Sequence, residues 1–180
     1  MNEISEATLM CKSIDMSPTA THPLSRLSRQ ERIALWTMRA WVIGITQKIP
    51  VEEQIEEAFG RVGAPDATGQ LYAFMWILSQ GACRMLDVDC VCSTSISSDE
   101  RALLDILALS QHGRSFEAMI LLRSMVKGTR ALATAECANE FVRTLSAAGF
   151  HLPVRALETG QYAFADQAFA DTPALTPTYH

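Results

Sequence analysis

Three cysteines carry the densest chemistry in this chain. Cys83, Cys90 and Cys92 stand in the stretch CRMLDVDCVCSTSISSDE with the spacing C-x6-C-x-C. Thiolates at such positions could bind zinc or another soft metal, or could exchange as a dithiol. Zinc knuckles use a gap of about two to four residues within each pair, and a second pair. Cys-x-Cys is tighter than that, and a fourth ligand would have to come from Cys137, His112 or His151. A redox thiol needs a lowered pKa, and the neighbouring acids Asp87 and Asp89 act in the opposite direction. The leading expectation is therefore reduced, buried thiols that fill a helix junction as small apolar groups. A metal-binding or thiol-based sensor built on Cys83, Cys90 and Cys92 is the alternative. Five cysteines in a chain that opens with acids, and without an apolar leader segment, point the same way, to reduced thiols and a cytoplasmic setting.

The elements that must position these residues read as helices. Ser28 and Glu31 form a Ser-x-x-Glu capping box ahead of a helix expected over about 29–46. Pro50 opens a short second helix whose outer face carries Glu52, Glu53, Glu56 and Glu57. A third is expected over about 66–86, with Cys83 in its last turns on the face of Trp76. A second capping box, Ser97 to Glu100, starts the fourth. Two more follow, from Ser115 to about Val126 and from about Thr129 to Ala148, with Gly149 placed to end the last. No strand is expected. The short connections predict antiparallel neighbours, hence an all-α, single-domain bundle of about six helices over residues 27–150. Residues 1–26 read as a mobile N-terminal arm. Residues 151–180 read as a strap and flexible tail.

The first and third helices are apolar on most sides, which marks them as central in the fold or buried in a partner. On the first, Arg32 and Arg39 form a narrow polar stripe that also carries Trp36 and Ile43. Arginine and tryptophan are interface residues, so these four are the expected interface.

Composition narrows the remaining classes. The chain has 180 residues, 48% of them hydrophobic and 19% charged, enough for one buried core. A net charge of −5 argues against nucleic-acid binding through bulk charge. No apolar run approaches the roughly 20 residues of a membrane span. GRVGAPDATG lacks the lysine of a phosphate loop, and there is no HExxH or nucleophile elbow. Central helices almost free of carboxylates and histidines argue against an enzyme.

The order Cys-x-Cys, Ser-Ser-Asp-Glu, LLDILALSQHGR and AAGFHLPVR, after a capped SRQERIALWTMRAWVIG helix, resembles a group of small all-helical bacterial proteins with no assigned activity. The resemblance covers about Leu27 to Arg155. It implies the helical fold and a bacterial source, and no catalytic residue. The expected function is that of a small cytoplasmic interaction or regulatory protein, without a cofactor, which self-associates or binds a protein partner.

Overall fold

The computed structural model describes residues 9–11 and 22–155. Residues 1–8, 12–21 and 156–180, which hold most of the two expected mobile ends, lie outside the described residues. The first capping box forms as its spacing demands. Ser28 Oγ accepts from the Glu31 amide at 3.1 Å, and Glu31 Oε2 accepts from the Ser28 amide at 2.7 Å. Helix α1 runs from there over Arg29–Gln47 and stops at Lys48, whose φ of 57° breaks the helical path. The chain then turns into α2, Glu52–Gly60. The turn is tight at Gly44: a Cβ there would stand 2.5 Å from Val51 Cγ2. The C-terminal end of α1 thus lies beside the start of α2, and the two form an antiparallel hairpin.

Helix α3, Ala67–Gly81, ends five residues before its expected limit. Tertiary pairing competes with the helix there. The backbone after Gly81 joins the junction between α5, Ser115–Met125, and α6, Gly128–Ala147. Cys83 N–H donates to Met125 O at 2.9 Å, and Lys127 N–H donates to Gly81 O at 2.8 Å. Gly81 allows the close approach, since a Cβ would stand 2.7 Å from Val126 Cγ1. Cys83 therefore lies beyond the helix, on an exposed corner, and not in its last turns.

The linker that follows contains strands where none was expected. β3, Leu86–Val88, pairs in parallel with β1, Leu9–Cys11. β4, Ser95–Ile96, pairs antiparallel with β2, His22–Pro23. Leu86, Val88 and Ile96 are buried. Three- and two-residue strands carry too little alternation to be told from a loop by pattern. A 3₁₀ turn, Leu24–Arg26, leads into α1, so the described part of the N-terminal arm is fastened to this linker.

The second capping box opens α4, Ser98–Gln111, and every residue from Asp99 to Leu109 is buried. The centre of the domain is thus α4, where the sequence points to the first and third helices. α3 lies chiefly along α6, with Phe74 stacked on Phe141 at 6.4 Å and Phe59 edge-on to the same ring at 5.9 Å. It meets α1 at Trp41 and Tyr72. After α6 the chain lies as a strap over the bundle. Gln111 clamps it, donating to Phe150 O and accepting from Leu152 N–H, both at 2.7 Å. The protein is an all-α single domain, and no helix among the described residues is long and apolar enough to cross a membrane.

Candidate functional site

Two places combine exposed chemistry with a built surround. The first is the loop between β3 and β4. Cys90 and Cys92 are bonded to each other there, with Cα atoms 5.4 Å apart, an ordinary span for a disulfide. Cys92 and the intervening Val91 are exposed, and Cys90 is half-buried. The expectation of buried, reduced packing thiols is therefore corrected: Cys90 and Cys92 are joined, and Cys83, a free thiol, is exposed and not buried. Small size does not bury a residue when the backbone carries it to a surface turn. Cys83 is elsewhere engaged, with Sγ 3.6 Å from Ser124 O. Among the described residues no group of three His, Cys, Asp or Glu side chains converges as a metal site would require.

Beneath this loop lies a buried ion pair. Glu100, the last residue of the second capping box, is fully buried. It accepts from Arg39 Nε at 2.6 Å and from Arg39 Nη2 at 2.7 Å. Two loop amides complete its shell, Asp89 N–H at 3.0 Å and Ser97 N–H at 2.9 Å. Arg39 also donates to the loop carbonyls, from Nη1 to Ser93 O at 3.1 Å and from Nη2 to Ser95 O at 2.7 Å. Asp89, 3.7 Å from Arg39, also accepts from Ser93 Oγ at 3.1 Å. Such satisfaction is what a buried charge pair requires, since removal from water costs several kcal/mol per ion. A neighbouring pair holds the next turn: Asp99 receives both amino groups of Arg84, at 2.7 and 2.6 Å, and the Asp87 amide at 2.7 Å.

Glu31 anchors a second network. Arg155 donates to it from Nε at 2.8 Å and from Nη2 at 2.7 Å, and Arg101 from Nη1 at 3.2 Å. Burial by itself would raise the Glu31 pKa. The Arg155 hydrogen bonds, the Ser28 amide and the Arg101 charge outweigh it and hold the carboxyl at about 2.

The second place with exposed chemistry is an open groove of about 490 Å³ between α1 and α2. Ile33, Trp36, Ala58 and Val62 form its floor, and Arg29, Arg32 and Arg61 stand at its edge. Arg61 pairs with Glu57 at 2.7 Å. Arg29 and Arg32 have no ion-pair partner among the described residues. A smaller recess of about 200 Å³ shares Arg29 and Arg61 and reaches Phe150 of the strap.

The four expected interface residues therefore divide. Arg32 and Trp36 line the groove, Ile43 is half-buried outside it, and Arg39 is 2% exposed and committed to Glu100. One helical stripe cannot stay on a single surface when the loop over β3 and β4 covers its middle. Arg29 and Arg61 are groove residues that reading the stripe missed. The buried charges Glu31, Asp99, Glu100, Arg101 and Asp105 were also missed as core groups, so inward carboxylates are not scarce. The capping boxes were the available signal for two of them. Comparison with known protein families, with curated proteins and with solved structures finds no match.

Proposed function

We propose that this is a small non-enzymatic interaction protein that self-associates through the α1–α2 hairpin. The observation that carries the reading is the groove: an apolar floor around Trp36, edged by Arg29 and Arg32, which have no ion-pair partner among the described residues. Arginine around a tryptophan is the composition of binding hot spots, and a helix face laid in a groove is a common recognition mode. The hairpin is basic where the N-terminal end of α1 meets the C-terminal end of α2. It is acidic at the opposite end, through the exposed Glu52, Glu53 and Glu56. A two-fold arrangement would set the basic end of one copy against the acidic end of the other, twice. The buried carboxylates that could serve a reaction are engaged by arginines and helix caps, which supports a non-enzymatic reading.

Light scattering across a concentration series tests this. The expected result is a dimer at low salt that dissociates in the Arg32→Glu and Trp36→Ala variants. A strict monomer at the highest soluble concentration removes self-association and leaves a partner protein with an acidic, apolar helix face as the occupant to seek. A second reading, the thiol or soft-metal sensor, draws on the closeness of Cys90 and Cys92. Metal analysis of the reduced protein tests its metal form.

A further inference from the structure

We propose that Cys90–Cys92 is a thiol–disulfide exchange site that takes a dithiol as its co-reactant, and that its state sets how firmly the β3–β4 loop grips the Arg39–Glu100 pair. The bonded pair closes the tip of a loop whose two flanks are both fastened to that buried pair. On one flank the Asp89 amide donates to Glu100. On the other, Ser93 O and Ser95 O accept from Arg39. Asp89 and Ser93 are the residues immediately outside the two cysteines, and Ser93 Oγ donates to the Asp89 carboxylate across the base of the loop. The sulfur–sulfur bond and this hydrogen bond therefore hold the same two flanks together.

Access is present where exchange needs it. Cys92 is exposed, as is Val91 beside it at 40%. The acidic neighbours that argue against a reactive pair are engaged in the fold. Asp89 is bound by the Ser93 hydroxyl and lies 3.7 Å from the Arg39 guanidinium. Its charge is thus compensated, and its field on the adjacent sulfur is weaker than that of a free carboxylate.

The step balances as an ordinary exchange. A thiolate of the dithiol attacks Cys92 Sγ, and the bond between the two cysteines breaks. Cys90 leaves as a thiolate and takes a proton. The second thiolate of the co-reactant then attacks the mixed disulfide and releases Cys92, which is protonated in turn. Two electrons and two protons pass from the dithiol to the pair, and the co-reactant leaves as a disulfide. Reoxidation runs the same steps in reverse with a disulfide oxidant. Opening the ring removes a covalent tie from the loop while leaving the Arg39–Glu100 contact itself intact. The effect falls on the loop amides first.

The test uses the full chain equilibrated in mixtures of reduced and oxidised dithiothreitol. Thiols are alkylated and peptides mapped by mass, and amide hydrogen exchange is followed in each state. The expected result is a two-sulfur transition assigned to the peptide with Cys90 and Cys92, with exchange at the Asp89 and Ser97 amides about ten-fold faster in the reduced protein. The Cys83→Ser variant should show the same transition, and Cys90→Ser with Cys92→Ser should abolish it. If no ratio of the two forms of dithiothreitol joins these cysteines, there is no exchange site. If the pair interconverts while exchange at Asp89 and Ser97 stays equal, the link to the buried ion pair is overturned. Both readouts come from the unmodified chain, so neither depends on a variant that might fail to fold.

Discussion

The two capping boxes are the same four-residue device in two settings. Ser28-x-x-Glu31 and Ser97-x-x-Glu100 each close both of their reciprocal hydrogen bonds, and in each the glutamate also receives an arginine. Their surroundings differ. Glu100 is enclosed by α1, the β3–β4 loop and its own helix, and its arginine is 2% exposed. Glu31 is just as buried, but its principal arginine, Arg155, is 39% exposed and comes from the strap at the end of the domain. One motif thus serves as the floor of a sealed polar cluster and as the inner half of an anchor for the strap. The local hydrogen bonds are alike. What differs is how far water reaches the cation, and this sets what each pair is worth.

The comparison is broken most severely at the sealed end. Arg39→Ala should destabilise the domain by about 3–5 kcal/mol, because Glu100 would be left buried and unpaired. Urea unfolding measures this, and a loss near 1 kcal/mol would show that water reaches the cluster. Changing both residues, Arg39→Met with Glu100→Leu, should recover part of the loss. The Asp89 and Ser97 amides would still lack an acceptor, so the recovery should be incomplete.

At the anchor the expected signature is pH. Glu31 titrates near 2 in the fold, below its ordinary value of 4.5. Its contribution is therefore complete above about pH 4.5 and is lost as pH falls towards 2. That depression corresponds to roughly 3 kcal/mol. Glu31→Gln should flatten that part of the stability–pH curve, and an unchanged slope would place the acid sensitivity elsewhere. Arg155→Ala should cost less, about 1 kcal/mol, since solvent already screens that cation and Arg101 stays in place. It should also move the acid transition upward in pH.

The smallest stability effect belongs to the groove. Arg32→Ala and Trp36→Ala should change folding stability far less than either buried pair, with Arg32→Ala within about 0.5 kcal/mol. Both should reduce self-association measured by light scattering. A large loss of stability in Arg32→Ala would make that arginine a structural residue and weaken the interaction reading.

Helix starts, the two capping boxes, the glycine stops and the helical class could be read from the sequence. Each depends on residues within about four positions of one another, where hydrogen-bonding chemistry and hydrophobic period act directly. Tertiary structure alone decided the rest. Arg39 meets a carboxylate 61 residues away, and Arg155 one 124 residues away. No local pattern distinguishes such arginines from Arg32, which remains at the surface. The early end of α3 belongs to the same class, because its backbone is taken by a junction more than 40 residues later. So does the exposed, joined state of Cys90 and Cys92, which follows from where the β3–β4 loop turns. Local chemistry determined where the elements begin. The path of the chain determined which charges were drawn out of water together, and so which residues were left on the surface.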